Sequence, residues 1–230
     1  MSCLQAANGE LDLFGFLSRL IPERLLHDII RGFVVAACMG LIYWRFGFYQ
    51  FAISKLQWWA QTVLFAAYAA AYAVRIAPIE RSQGAAEFLV PLIAVFLPLL
   101  LFRESGFYLG AQAPMLQKLG LWLVILGGFF TSAGGVSLGR SFSITPEVRE
   151  LRTSGLYRFV RHPIYLAGIV VCFGVLLTRP SFFGAALWAL FAALQVWRAR
   201  LEEKKLSCLP GYSAYCTRTG FFLPRFSALG

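Results

Sequence analysis

The chain has 230 residues, 59% of them hydrophobic and only 14% charged, with a mean hydropathy of +0.67. A soluble globular domain carries about 25% charged residues, so this balance excludes that class and points to a chain housed in a bilayer. The formal net charge is +10, but the basic residues flank apolar stretches, which is the pattern of the positive-inside rule and calls for no nucleic-acid partner.

The first twenty residues are mixed. Leu11–Leu20 suits either a short interfacial helix or a leader packed on the rest. Glu10, Asp12 and Pro22 do not make the basic start and adjacent apolar core of a signal peptide, so this segment is expected to stay in the mature protein. The first span is expected within Ile29–Phe46, between Arg31 and Arg45. Trp58 and Trp59 precede the second, Ala60–Val74, and suit an interfacial aromatic belt. Tyr68 and Tyr72 share a face there and are expected to pack on a neighbouring helix. The third, Phe88–Phe102, carries Pro91 and Pro98, which bend membrane helices without breaking them.

Leu119–Ala133 is the fourth span, and its GGFFTSAGG stretch offers small residues for close helix packing. Val136–Arg161 is the longest polar segment, with five arginines. Leu166–Leu177 and Phe182–Val196 are two short apolar runs joined by the turn Thr178–Ser181, the expected form of a helical hairpin. The fold predicted is all-α, a polytopic membrane helix bundle of about six spans, the last two a short hairpin. A cytoplasmic cap comes from the 134–162 loop and the C-terminal tail. Six crossings put sixteen basic residues on the side of both termini and five on the other, which makes the first side cytoplasmic in an inner or plasma membrane.

Two polar clusters fall on that cytoplasmic side. The first is RTSGLYRFVRHPIY, Arg152–Tyr165. Pro163 lacks a donor N–H and suits the first turn of a helix, which sets Arg161, His162 and Tyr165 at a helix mouth that attracts anionic groups. The second cluster is WRARLEEKKL, Trp197–Leu206, where Arg198 and Glu202 share a helix face and Glu203 points about a quarter-turn away. At an exposed surface the two glutamates are unremarkable; partly buried, they need partners such as Arg161, His162 and Arg198. The bland readings are headgroup anchoring for the arginines and a structural role for the lone histidine. The five cysteines form no CxxC pair, and there is no HExxH, GxSxG or phosphate-loop motif, so no metal site is expected. Read from residues alone, the clusters make a polar, partly cationic pocket between a soluble cofactor and a lipophilic substrate.

LGRSFS (Leu138–Ser143), SGLYRFVRHPIY (Ser154–Tyr165), RARLEEKKL (Arg198–Leu206) and GYSAY (Gly211–Tyr215) together resemble the isoprenylcysteine carboxyl methyltransferases, integral membrane enzymes related to the phospholipid methyltransferases. Leu156, Phe142 and Leu209–Pro210 depart from the usual pattern, and the resemblance covers about the last hundred residues. It divides a single domain into helices without family motif, 1–115, and a methyltransferase-like half, 116–230. It implies S-adenosylmethionine as cofactor, with Arg161, His162, Pro163, Tyr165, Glu203, Tyr212 and Tyr215 around it. Arg198, Glu202 and Glu203 then form the reaction-side wall. The acceptor is expected to be a lipophilic small molecule or lipid-modified substrate, and membrane lipids are expected partners. A carboxylate acceptor needs no base, whereas an amine needs a glutamate to take its proton. Two other classes stay open: a membrane reductase binding a nicotinamide cofactor through the same arginines, and a transport or assembly protein without cofactor.

Overall fold

The computed structural model describes residues 23–46, individual positions between 55 and 101, and residues 114–138 and 151–225. The leader helix, the Tyr68–Tyr72 pair, the 75–87 loop, the 103–113 connector and residues 139–150 of the long loop lie outside the described residues. Within them the fold is helical: α1 is Glu23–Phe46, α2 Pro114–Leu138, α3 Pro163–Thr178, α4 Phe182–Leu206 and α5 Tyr212–Arg218, with a 3-10 turn at Gly155–Arg158. The described residues form no strand; a single parallel bridge joins Val160 to Gly220.

α2 and α4 each have 25 residues and are apolar enough to cross a bilayer. At about 1.5 Å per residue each is roughly 37 Å long, against a hydrocarbon core of about 30 Å. Both helices overrun the apolar runs that define them in the sequence. α2 starts five residues earlier, at Pro114, and α4 continues through the second polar cluster to Leu206. The α3–α4 hairpin is therefore asymmetric: α3 has only 16 residues.

The packing of α2 on α3 follows from the spacing of small residues. The buried positions of α2 are Gly120, Val124, Gly127, Thr131 and Gly134. They alternate steps of four and three, so they lie on one stripe, with a glycine every seventh residue. A Cβ built at Gly120 would lie 2.5 Å from the Gly174 carbonyl oxygen of α3, and one at Gly174 would lie 2.6 Å from the Gly120 oxygen. At Gly127 it would meet Val171, and at Gly134 Ile164. The two helices thus run antiparallel, backbone nearly on backbone. The second glycine of each pair, Gly128 and Gly135, faces open space. Gly127→Leu is expected to lower stability by about 2 kcal/mol or more, as overpacking does. Gly128→Leu is expected to be silent. Thermal unfolding of the detergent-purified pair checks this.

Behind that seam Val90, Ala94, Leu97 and Leu101 form one buried cluster with Val124, Cys172, Val175, Leu187, Phe191 and Leu194. The third apolar run, α2, α3 and α4 therefore share a core. Trp122, Leu126 and Phe129 of α2 and Phe182, Phe183 and Leu190 of α4 are exposed. Large apolar side chains left outside in such number mark a surface made to meet another apolar phase.

Candidate active site

The α3–α4 hairpin brings the two polar clusters together. Arg179 ends α3, donating its N–H to the Leu176 carbonyl, and Ser181 starts α4, its hydroxyl accepting from the Gly184 N–H at 2.9 Å. So tight a turn makes the helices antiparallel neighbours. Trp188 Nε1 donates to the Ile169 carbonyl at 3.1 Å, and farther along Gln195 lies against Gly168. At the open end the start of α3 meets the end of α4, which is where both clusters stand. The polar end of α4 lies beyond its apolar part.

His162 is the N-cap of α3 and Pro163 its first residue, both buried. No side-chain hydrogen bond caps α3 at His162. The His162 ring lies parallel to Tyr165 at 5.6 Å, and Phe221 and Phe222 close its other sides at 4.9 and 6.3 Å. Its Nε2 is 3.3 Å from Glu203 Oε1. An ionised carboxylate can only accept, so that bond requires the proton on Nε2. Its Nδ1 is 3.8 Å from Glu202 Oε2, within ion-pair range but beyond a direct hydrogen bond.

Arg161 binds in two directions. Its Nε donates to Glu203 Oε1 at 2.5 Å, and its Nη1 donates to the carbonyls of Thr219 at 2.7 Å and Cys216 at 3.4 Å. The backbone repeats the connection: Arg161 N–H donates to the Gly220 carbonyl, His162 N–H to that of Phe221, and Gly220 N–H to that of Phe159. Tyr215 donates its hydroxyl to the Tyr157 carbonyl at 2.7 Å. Residues 215–222 are thus a strap sewn across the 157–162 turn. Burial opposes charge on Glu203, but the hydrogen bonds from His162 and Arg161 outweigh it and hold its carboxyl below the ordinary value of 4.5.

On the other side of His162, Tyr165 donates its hydroxyl to Glu202 Oε2 at 2.9 Å. The Arg198 guanidinium stands over the Tyr165 ring, 4.8 Å from its centroid, in cation–π geometry. Arg198 is buried, and its Nη1 donates to Gln195 Oε1 at 2.9 Å. Tyr212 is buried too, with its hydroxyl beside Cys216. Burial and the nearby Glu203 charge keep that phenol protonated. Burial pushes the Tyr215 hydroxyl up to about 12.

Every site residue expected from the sequence falls in or beside this cluster. Arg161, His162, Tyr165, Arg198, Glu202 and Glu203 are joined by direct contacts, with Pro163 beneath them and Tyr212 and Tyr215 packed on each other behind. The arrangement is a row of paired charges with two poles. One pole is Arg161–Glu203–His162 under the strap; the other is Tyr165–Glu202–Arg198, nearer the apolar part of the hairpin.

Residues 110–208 match the phospholipid methyltransferase family. That family is related to the isoprenylcysteine carboxyl methyltransferases. No curated protein matches the chain. The match covers a little under half of the chain, from just before α2 to just past α4. The matched segment therefore holds both poles and the glycine seam, and it leaves out α5 and the strap.

Sequence reasoning missed three parts of the site. Phe221 and Phe222 read only as an aromatic patch, yet they enclose His162. Arg161 reads as a ligand for a cofactor, yet its Nη1 donates to two carbonyls of the strap. Gln195 was passed over, although an amide inside the apolar run Phe182–Val196 is a visible anomaly.

Proposed function

We propose that the protein is an integral membrane S-adenosylmethionine-dependent methyltransferase acting on a lipophilic or membrane-embedded acceptor. The observation that carries this reading is the meeting of the His162–Tyr165 mouth of α3 with Glu202 and Glu203 of α4, inside the segment that matches the phospholipid methyltransferases. The apolar outer faces and the lengths of α2 and α4 support a site at a bilayer surface. The distribution of arginine and lysine supports about six crossings with both termini in the cytoplasm.

The donor set fits such a cofactor. Its amino-acid part carries an ammonium and a carboxylate, its ribose two hydroxyls, and its sulfur a positive charge. Glu203 offers a carboxylate to the ammonium or the ribose. The positive end of the α3 dipole and the Arg161 guanidinium suit the carboxylate. The buried Tyr212 phenol, kept protonated, is a donor at the edge of the cluster. Aromatic faces around His162 suit a cation or a flat base. When bound, S-adenosylmethionine supplies a methyl group that is already electrophilic. The chain's own task is then alignment and the exclusion of water.

In this reading Arg161, His162, Pro163, Tyr165, Glu203, Tyr212 and Tyr215 hold the cofactor. Arg198, Glu202 and Glu203 wall the reaction side. Arg198 orients an anionic acceptor group by its planar donors. Glu202 takes the proton of an amine acceptor, and a carboxylate acceptor makes no use of that step. Equilibrium binding to the full chain in mild detergent tests the assignment. S-adenosylmethionine is expected to bind saturably and NADPH not to compete, and labelled methyl is expected to appear in the lipid phase of native membrane extracts. Binding of NADPH in its place would assign the scaffold to a reductase. Binding of neither by folded protein would leave a non-enzymatic role.

A further inference from the structure

Gln195 stands where the reading above assigns nothing. It lies one helical turn before Arg198 on α4 and is buried to 6% exposure. Its neighbour is the bare backbone at Gly168, where an added Cβ would lie 3.4 Å from Nε2 and 3.7 Å from the Phe191 ring. An amide in such surroundings costs stability unless its polar atoms are used. Its Oε1 is used, accepting from Arg198 Nη1 at 2.9 Å.

The contact has a geometric consequence. The Arg198 guanidinium is planar, so tying down one Nη limits the whole plane. Gln195 grips it from the apolar side. Tyr165 supports its face at 4.8 Å, and the Tyr165 hydroxyl is fixed in turn by Glu202 at 2.9 Å. Gln195, Arg198, Tyr165 and Glu202 therefore form a continuous chain of contacts from the apolar part of the hairpin to the reaction-side pole.

We propose that Gln195 is a positioning residue: it sets the Arg198 guanidinium in the orientation that receives a polar headgroup of an acceptor entering from the lipid side. This rests on the reading of the protein as a methyltransferase with Arg198 on its acceptor wall. It adds that acceptor recognition starts within the apolar part of α4, one turn deeper than the charged cluster.

The test compares Gln195→Leu with Gln195→Glu in the full chain reconstituted in vesicles of phosphatidylethanolamine and phosphatidylglycerol. The vesicles are doped with an N-acetyl-S-prenylcysteine as a second acceptor probe. Cofactor affinity, the thermal midpoint and methyl transfer are measured for each. Loss of an acceptor that holds a charged donor is expected to lower acceptor kcat/KM in Gln195→Leu about tenfold or more, mostly through KM. Cofactor affinity should stay within error, and the thermal midpoint serves as the fold control. Gln195→Glu keeps an acceptor for Arg198 Nη1 and is expected to retain more activity than Gln195→Leu. A residue that merely fills space gives the opposite order, because leucine suits an apolar helix face better than a carboxylate. That order, or equal activity in both, overturns the inference and leaves the methyltransferase reading standing. Folded wild-type protein that binds no S-adenosylmethionine overturns that reading, and this inference with it.

Discussion

Glu203→Gln is expected to weaken S-adenosylmethionine binding about a hundredfold or more, with helix content unchanged. Glu203 Oε1 is the shared acceptor of Arg161 Nε and His162 Nε2. The Arg161 side chain is 11% exposed and that of Glu203 25%, so the pair is largely shielded from water. Taking the anion from such a pair leaves a desolvated cation behind, a loss of about 3–5 kcal/mol when burial is complete and less when some water reaches it. A loss of about 2.7 kcal/mol already corresponds to a hundredfold. Glutamine keeps the shape and one acceptor, so what changes is charge. Isothermal titration on the wild type and the variant, with circular dichroism as the fold control, measures it. Wild-type affinity in the variant would remove Glu203 from the site.

Acid should produce the same release without a mutation. Glu203 is held below its ordinary value of 4.5, so its contribution is complete above that pH and is lost as the pH falls through the depressed value. The strap, held by Arg161, is expected to gain hydrogen exchange at residues 219–222 in that window before the α2–α3 seam does.

The second large effect is expected at Gly220. A Cβ there would lie 1.6 Å from the Leu223 carbonyl oxygen, a contact that no side-chain motion relieves because the obstacle is backbone. Gly220 also carries the bridge to Val160, and Phe221 and Phe222 follow it onto the His162 ring. Gly220→Ala is therefore expected to detach the strap and abolish cofactor binding, while the helices α2 to α4 remain formed. Limited proteolysis reads the first change as new cleavage after Arg218 or Arg225, and titration reads the second. Gly211, whose φ of 83° is left-handed but which has open space around it, supplies the contrast. Gly211→Asn, tolerated in that conformation, should bind like wild type. A Gly220→Ala protein with full affinity would show that the strap does not close the site.

Much of this site is legible in the sequence, for reasons that are local. Pro163 marks the first turn of a helix because a residue without an N–H loses nothing there, and α3 starts at that residue. The turn Thr178–Ser181 is too short for anything but an antiparallel hairpin, and a hairpin brings His162 to Glu203 whatever else the chain does. What escaped the reading depends on three-dimensional register. The stretch GGFFTSAGG shows small residues but not which of them face α3; of its four glycines Gly127 and Gly134 do, because they share a seven-residue stripe with Gly120. The strap escaped because it is held by main-chain bonds and by an arginine that a cofactor would claim equally well. Arg198 and Glu202 share a face, as their spacing requires, yet the contacts that define their roles run to Gln195, the Tyr165 ring and the Tyr165 hydroxyl, on turns and helices the spacing does not report.

The whole account depends on one cofactor touching the start of α3, the end of α4 and the strap together. Ultraviolet cross-linking of radiolabelled S-adenosylmethionine to the full chain in detergent, followed by peptide mapping, measures that directly. Label is expected in peptides covering 159–165 and 201–222, and it should be displaced by unlabelled S-adenosylhomocysteine. Label confined to α1 or α2, or no displaceable label on folded protein, would contradict it.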